Sequence, residues 1–248
     1  MPELRGMEPY YELGMFDENL LHCPECNDEG YVEVSENGQV WMRECRCMPV
    51  RKSLRMAQKS GLIYLLRQYT LQNFRTCAPW QKKARDMAAK YVEDHDGKWF
   101  YIGGQVGAGK THLCTGMVGE FLKRGLESYY MLWKDETVKL KAMVTNDERY
   151  EKCINALKQV KVLYIDDFLK TEKGRNPTSG DLNIAFELLN YRYINKDLIT
   201  IISSERGVSE LMDIDESVAS RIYERAGEYC LIIETDMDKN FRLKRTWW

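Results

Sequence analysis

Two patterns of apolar and polar residues divide the chain. Up to about residue 50 the segments are short and polar, and a basic stretch with helical periodicity follows over 51–69, interrupted at Gly61. From about Trp99 onward, apolar runs of strand length alternate with stretches of helical periodicity. Such alternation is typical of βαβ units, and it predicts an α/β fold built on a parallel sheet.

The individual elements follow from the same pattern. Helical periodicity predicts a helix over 110–123 that ends before Gly125, two helices within 135–158, and further helices at about 181–195 and within 208–226. Strands are predicted at 99–104, 128–133, 160–168, 198–205 and 229–235. The runs at 160–168 and 198–205 are almost wholly apolar, as expected for central strands buried on both faces.

A phosphate-binding loop follows the first of these strands. The segment GQVGAGKT fits the pattern G-x-x-x-x-G-K-[ST], and it lies between a predicted strand and a predicted helix, as a P-loop requires. Its glycines let successive N–H groups point inward at phosphate oxygens, and the helix N-terminus adds partial positive charge. The pattern predicts a site for a nucleoside triphosphate, with ATP expected. The predicted contacts are Gly104, Gln105, Val106, Gly107, Ala108, Gly109, Lys110, Thr111 and His112.

Two other strand ends offer partners for this loop. Asp166 closes the apolar run VLYID, where a carboxylate could hold Mg²⁺ together with the Thr111 hydroxyl. Asp167 is placed to orient or deprotonate an attacking water. If the strand LITIISSE lies beside the Asp166 strand, Ser204 (or Ser203) would face the terminal phosphate, although serines at a strand end need no such role.

Arg221 and Arg225 lie four residues apart in SVASRIYERAG, on one face of a predicted helix. An arginine near a terminal phosphate stabilises transition-state charge and can come from a neighbouring subunit. From the residues alone, a solvated pair that bridges Glu224 or Glu228 is the better interpretation.

Four of the eight cysteines cluster near the N-terminus as Cys23-x2-Cys26, an 18-residue spacer, and Cys45-x-Cys47. Thiolates with this spacing suit a tetrahedral, structural Zn²⁺ site, although another metal or no metal stays possible. Between the two pairs, alternating runs flank Asn37-Gly38, which is a strong hairpin signal. His22 is a possible substitute ligand.

Composition narrows the class of protein. Of the 248 residues, 44% are hydrophobic and 30% are charged, which is typical of a globular protein. The formal net charge of −2 gives no overall attraction to nucleic acid, so any such contact must come from a local patch. The acidic N-terminal segment lacks a signal-peptide core, and no apolar run is long enough to span a membrane. We therefore expect a cytoplasmic protein without membrane contact.

The order of these parts resembles the DnaC/DnaI-type replicative helicase loaders, especially their bacteriophage branch, which is also similar to the IstB-like ATPases. The likeness runs from about Cys23 to Arg245 and rests on GQVGAGKTHL, YIDDF, KGRNPTSGDLNIAFELLNYRY, IISSE, ASRIYERAG and KNFRLK. It implies an AAA+ core at 66–248 whose protomers form a homo-oligomer on DNA, with ATP between neighbours. It also implies that a zinc module at 1–65 binds a DnaB-type helicase, while the core contacts single-stranded DNA during replication.

The resemblance assigns roles to single residues as well. Asp166 and Asp167 match the Walker B acids, Ser204 matches sensor 1, Arg221 matches the arginine finger, and Arg242 is a candidate for a sensor-2-like part. AAA+ proteins commonly have Glu at the position of Asp167 and Asn near Ser204 or Glu205. These departures predict slow hydrolysis, with ATP acting mainly as a switch.

A helicase loader is therefore the function that we expect, and three alternatives stay open. The first is an IstB-type transposition ATPase acting on a transposase and duplex DNA, which the four-cysteine module disfavours. The second is a P-loop kinase for a small molecule, which should carry an arginine-bearing lid. The third is a non-enzymatic zinc adaptor with a vestigial nucleotide site, which the intact Lys110, Thr111 and Asp166 disfavour.

Overall fold

A computed structural model describes residues 23–59, 62–172 and 174–243. His22 and Gly61 lie outside these residues. The described chain begins with an antiparallel hairpin, in which β1 (Tyr31–Glu36) pairs with β2 (Gln39–Glu44). Asn37 and Gly38 form the turn with φ of 51° and 78°, the left-handed backbone that a tight hairpin requires. The predicted hairpin is thus confirmed.

A five-stranded parallel sheet forms the centre of the remaining structure. Its strands are β3 (Phe100–Gly104), β4 (Ser128–Leu132), β5 (Val162–Asp166), β6 (Ile199–Ser203) and β7 (Cys230–Ile233). Their order across the sheet is β4-β5-β6-β3-β7, and every residue of β5 and β6 is buried. The carboxyl ends of β3, β5 and β6 therefore meet at one edge. All five strands were predicted.

Nine α-helices of the described chain surround these strands. The predicted helix after the P-loop is confirmed at its expected bounds, whereas the stretch 208–226 is divided at Asp215, whose side chain accepts a hydrogen bond from the Val218 N–H and caps the second piece. The helices are α1 (Met48–Lys59), α2 (Leu62–Gln68), α3 (Pro79–Glu93), α4 (Lys110–Lys123), α5 (Trp133–Ala142), α6 (Asp147–Gln159), α7 (Ser179–Ile194), α8 (Val208–Ile214) and α9 (Glu216–Ala226).

Alternating side chains of the sheet belong to two apolar clusters, one on each face. Phe100 and Ile102 belong to the first cluster, together with residues of α1 to α4, and Tyr101 belongs to the second, together with residues of α5 to α9. Leu54 and Leu66 place α1 and α2 in the first cluster. The expected domain boundary at residue 65 passes through this cluster. No helix among the described residues has the length and apolarity to cross a membrane.

Candidate nucleotide and metal sites

The P-loop connects β3 to α4 and has left-handed backbone at Gly104, Gly107 and Gly109. A side chain at Gly104 would overlap the Ile233 carbonyl group, and one at Gly107 would overlap the Asn240 side chain. Glycine is therefore required at both positions for two reasons, backbone conformation and close packing. The result is a concave loop at the N-terminus of α4, which is the geometry that binds phosphate groups.

Lys110 is buried at the start of α4, and its ammonium group lies inside the loop. Nζ donates hydrogen bonds to the carbonyl oxygens of Gly104, at 2.6 Å, and Gln105, at 2.7 Å. Burial lowers the pKa of Lys110, while the nearby charges of Glu205 and Asp167 act to raise it. Phosphate oxygens could replace the two carbonyl acceptors around this ammonium group.

Four hydroxyl groups surround the Asp166 carboxylate, which is only 4% exposed. Tyr164 Oη lies 2.7 Å and Thr111 Oγ1 3.2 Å from Oδ1, and Tyr130 Oη lies 2.9 Å from Oδ2. The Ser203 hydroxyl also donates to Oδ1. Burial and the charge of Asp166 raise the pKa values of both tyrosines, so their hydroxyls stay protonated donors.

Thr111 and Asp166 are also placed to share a magnesium ion. Adjacent ligands of an octahedral Mg²⁺ with bonds of about 2.1 Å are about 3.0 Å apart. The separation of 3.2 Å between Thr111 Oγ1 and Asp166 Oδ1 is close to this value. The two oxygens are therefore spaced to fit such an ion at the edge of the P-loop.

Asp167 takes part in an ion network that sequence reasoning missed. Lys170 Nζ lies 2.8 Å from Asp167 Oδ2 and 2.7 Å from Glu205 Oε1, and all three residues line the cavity over the P-loop. Burial alone would lower the pKa of Lys170, but the two carboxylates outweigh it and raise the pKa. The final Glu of LITIISSE was a usable signal for Glu205, whereas the position of Lys170 depends on loop geometry.

Of the two serines expected at the terminal phosphate, Ser203 contacts Asp166, whereas the Ser204 hydroxyl has other partners. Ser204 is fully buried, and its Oγ donates to the Phe168 carbonyl at 2.9 Å and accepts from the Arg206 N–H at 3.1 Å. Neighbouring side chains of a strand point to opposite faces, so Ser203 contacts Asp166 and Ser204 cannot.

A cavity of about 540 Å³ covers the P-loop and extends over the segment before α3. Its wall includes Tyr69, Phe74 and His112. The His112 ring stacks on Tyr69 with centroids 4.5 Å apart, and its Nε2 lies 2.8 Å from Asn73 Oδ1. His112 was expected to contact the nucleotide, and the structure places its ring in the cavity wall, where it joins α4 to this segment. The volume is typical of a pocket for a small molecule.

Arg242, in the C-terminal segment, lines the cavity over the P-loop. The segment is held there because the Phe241 N–H donates a hydrogen bond to the Gly107 carbonyl at 3.0 Å. Of the arginines that the sequence predicted for the site, Arg242 is therefore the one placed to reach a nucleotide bound to the same chain.

Arg221, by contrast, lies outside the cavity of its own chain. Its guanidinium is 4.9 Å from the Phe186 ring centre, Nη1 donates to the Ser217 carbonyl at 2.6 Å, and Nε donates to Asn190 Oδ1 at 3.2 Å. A role at a nucleotide would therefore require the nucleotide of another protomer.

The alternative of a solvated arginine pair is wrong. Arg225 is buried and donates to the backbone carbonyls of Tyr193 and Gly97. Glu228 pairs with Lys90 and Lys98 instead, and Glu224 accepts a hydrogen bond from the Tyr193 hydroxyl at 2.8 Å. The two arginines share a helix face and both lie over the Tyr193 ring, but their hydrogen-bond acceptors differ.

The four cysteines of the N-terminal module meet in one buried cluster. Their sulfur atoms all lie within 4.8 Å of one another, with Cys23 and Cys45 at 3.6 Å and Cys26 and Cys47 at 3.7 Å. Four sulfurs bound to Zn²⁺ at about 2.3 Å are about 3.8 Å apart, whereas a disulfide needs about 2.0 Å. The arrangement therefore fits a closed, four-thiolate zinc site.

Comparison with known proteins decides the family. The model of the IstB-like ATP binding protein family matches residues 36–247, which is most of the chain. The chain belongs to this family. It is therefore an ATP-binding protein of the AAA+ ATPases, and the predicted fold class and enzyme class are confirmed.

Two curated relatives connect this ATPase with phage-like elements and replication. The chain is 33% identical over 230 residues to the phage-like element PBSX protein XkdC of Bacillus subtilis, and the match covers 88% of this chain and 84% of that protein. It is 30% identical over 128 residues to the replicative helicase loader DnaC of Escherichia coli, about half of each chain. The predicted relationship to helicase loaders is thus confirmed.

A solved structure agrees with the fold. The crystal structure of the DnaC helicase loader superposes with a TM-score of 0.55 over 68% of this chain and 97% of that chain. Its sequence identity of 20% supports the shared fold alone.

Proposed function

We propose that this ATPase is a helicase loader that binds a DnaB-type replicative helicase and helps to place it on single-stranded DNA. The observation that carries the proposal is the 30% identity to the loader DnaC across half of each chain. The four-cysteine hairpin before the ATPase fold agrees with the loader architecture that the sequence suggested. Replication in the cytoplasm of a bacterial or phage-infected cell is the setting that this function requires.

The zinc module is the proposed arm that holds the helicase. Its hairpin leaves Tyr31, Val40, Trp41 and Met42 exposed, at 42–61% of their full surface. Val40 and Met42 lie two residues apart on β2 and share one face with Tyr31. Large apolar side chains on a surface cost solubility and mark sites of protein association. This face is therefore the proposed helicase contact.

The nucleotide site supplies the proposed switch. The backbone of the P-loop and Lys110 would bind the phosphates, Thr111 and Asp166 would hold Mg²⁺, and Arg242 would contact the nucleotide of its own chain. Asp167, which lines the same cavity, would orient the attacking water. A bound magnesium ion would neutralise part of the negative charge of the phosphates.

Arg221 is the proposed contribution of a neighbouring protomer in a homo-oligomer. Its guanidinium lies at the surface beside the exposed Phe186 ring, outside the cavity of its own chain. Arg221→Ala should abolish ATP turnover in the assembled protein while leaving the affinity of the single chain for ATP unchanged. Unchanged turnover in the assembly would contradict this assignment.

The loader function is tested by a pull-down of the replicative helicase with ATP, with ADP and without nucleotide. Cys23→Ser/Cys26→Ser removes the zinc site, and Val40→Ser/Met42→Ser changes the exposed face while keeping all four cysteines. We expect both variants to lose the helicase. Lys139→Ser, a change of an exposed residue on α5, is the matched control and should bind as the wild type does. No helicase bound in any nucleotide state would contradict the loader proposal.

A transposition helper of the IstB type is the second candidate, because the matching family is named for IstB. Such a protein would act with a transposase on duplex DNA. Binding of the chain to duplex rather than single-stranded DNA, measured by fluorescence anisotropy in the presence of ATP, would favour this candidate over the loader.

A further inference from the structure

The loop that follows β5 is held in an unusual backbone conformation. Asp167 and Leu169 both have positive φ, 56° and 53°, although neither is glycine. The end of β6 fixes the loop from the other side, since the Phe168 N–H donates to the Ser203 carbonyl at 2.8 Å and the Ser204 hydroxyl donates to the Phe168 carbonyl at 2.9 Å. Left-handed backbone of this kind costs energy and persists where surrounding contacts impose it, often at functional sites.

This loop places the Lys170 ammonium group between two carboxylates in the cavity wall. Nζ lies 2.8 Å from Asp167 and 2.7 Å from Glu205, and the Lys170 side chain stays 38% exposed. The same two acids are the largest charge influences on Lys110 inside the P-loop. Lys170 and the two acids therefore line the same cavity as Lys110.

The charges around Lys170 affect how the cavity would receive the phosphates of a nucleotide. Two carboxylates near the P-loop repel an incoming phosphate, and the ammonium group between them offsets part of that repulsion. A terminal phosphate oxygen would compete with Asp167 and Glu205 for the same three N–H donors. A diphosphate, which lacks the γ-phosphate, would leave the ion network as it is.

We propose that Lys170 is a sensor of the terminal phosphate: its ammonium group turns from Asp167 and Glu205 to a γ-phosphate oxygen when a triphosphate occupies the cavity. The chain then prefers triphosphate to diphosphate through this residue, and Asp167 loses its cationic partner only when the γ-phosphate is present. The inference rests on the ATP-binding part of the proposed function and is independent of helicase binding.

The simplest rival is that Lys170 only neutralises the two acids. In that case Lys170→Met should weaken both nucleotides, because the uncompensated carboxylates repel the phosphates of each. Adding Glu205→Gln should then restore the lost affinity. If Lys170 contacts the γ-phosphate directly, Glu205→Gln should not restore the lost affinity, because removing an acid cannot replace the missing donor.

The test measures the affinities of ADP and of a non-hydrolysable ATP analogue by calorimetry, both with Mg²⁺. We expect Lys170→Met to weaken the analogue about ten- to a hundredfold, as for loss of a charged hydrogen bond, with ADP little changed. Lys170→Met/Glu205→Gln should stay weak for the analogue. Lys139→Met is the matched control, because Lys139 is also an exposed lysine paired with an acid three residues away, at 2.6 Å.

Each outcome decides the question. Equal losses for the two nucleotides, an unchanged analogue affinity, or recovery in the double variant would overturn the sensor role. Failure of the wild type to bind either nucleotide would overturn the nucleotide site itself, whereas failure in the helicase pull-down would leave the sensor role standing. Thermal unfolding of each variant checks that the fold is retained.

Discussion

The zinc module and the ATPase fold are stabilised in different ways. Between Cys23 and Cys47 the buried side chains are the four cysteines, and every residue of β2 is exposed. The ATPase fold instead buries two large apolar clusters, one on each face of its sheet. A two-stranded hairpin is marginal without further support, so the cysteine cluster is what holds the module together.

This difference teaches where each region is vulnerable. In the module the stabilising interactions converge on one point, so a single change there should remove the whole structure. In the ATPase fold they are spread over many contacts, so a single change should remove a part of the stability and leave the fold. The expected effects therefore decrease from the cysteine cluster to the polar contacts within the ATPase fold.

Loss of the metal should have the largest effect. Cys45→Ser, or treatment with a chelator, is expected to unfold the hairpin, because structural zinc contributes on the order of 10 kcal/mol to such modules. The ATPase fold should keep its melting temperature and its affinity for ATP. Metal analysis should give one zinc per wild-type chain, and hydrogen exchange should show protection lost in β1 and β2 only. Loss of ATP binding in Cys45→Ser, measured with Mg²⁺ present, would contradict the separation of the two regions.

The buried Arg192 should give the next largest effect. Its guanidinium is fully buried, donates to the Thr200 hydroxyl at 2.9 Å and to four backbone carbonyls, and burial lowers the pKa of Arg192 to about 9. Those carbonyls belong to Leu157, Lys158, Val160 and Ile199.

Arg192→Met should lower the free energy of unfolding of the ATPase fold by roughly 3–5 kcal/mol, since several buried acceptors lose their donor. Urea unfolding followed by tryptophan fluorescence measures the change. Arg149→Met, at a residue of α6 whose side chain is exposed, is the control and should change little. A loss of less than about 1 kcal/mol for Arg192→Met would show that the carbonyls find other partners.

The sequence predicted the elements with strong apolar periodicity and missed those in which the buried and exposed positions differ little in apolar character. The bounds of α4 and the turn at Asn37-Gly38 follow from local signals, a P-loop before the helix and the preference for left-handed backbone. Helix α3 was missed because its buried face includes Gln81, Ala84 and Ala88, which contribute little to an apolar pattern.

The candidate site was predictable only where a motif defines it. The P-loop and Asp166 belong to motifs, and the structure brings them together within one cavity. The choice between Ser203 and Ser204 depends on the phase of a strand end, which an apolar run does not reveal. Tyr164 was counted as part of an apolar strand, and its hydroxyl acquires a polar role only through the tertiary contact with Asp166.

The tyrosine hydroxyl beside Asp166 should contribute less than Arg192. Tyr164→Phe removes a hydrogen bond of 2.7 Å to a carboxylate, and charged hydrogen bonds contribute about 1.5–3 kcal/mol. Tyr101→Phe is a matched control, because Tyr101 is equally buried but donates to the neutral Arg206 carbonyl at 2.6 Å, a bond worth about 0.5–1.5 kcal/mol. Urea unfolding of both variants should show the larger loss for Tyr164→Phe. Equal losses would mean that three remaining hydroxyls suffice for Asp166.

The smallest effect concerns the pH dependence of the ATPase fold. Burial lowers the pKa of His112 below its ordinary value of 6.5, so the unfolded chain binds a proton before the folded protein does. Stability is therefore complete above pH 6.5 and is lost as the pH falls through and below this value. His112→Gln should flatten this loss between about pH 7.5 and about pH 5.5, measured as the free energy of unfolding in urea. His95 has the same direction of shift from the same cause, so His95→Gln should flatten the remainder. If neither variant changes the dependence of the unfolding free energy on pH, the acid sensitivity comes from the carboxylates. The charged groups of the ATPase fold would then share in its distributed stabilisation.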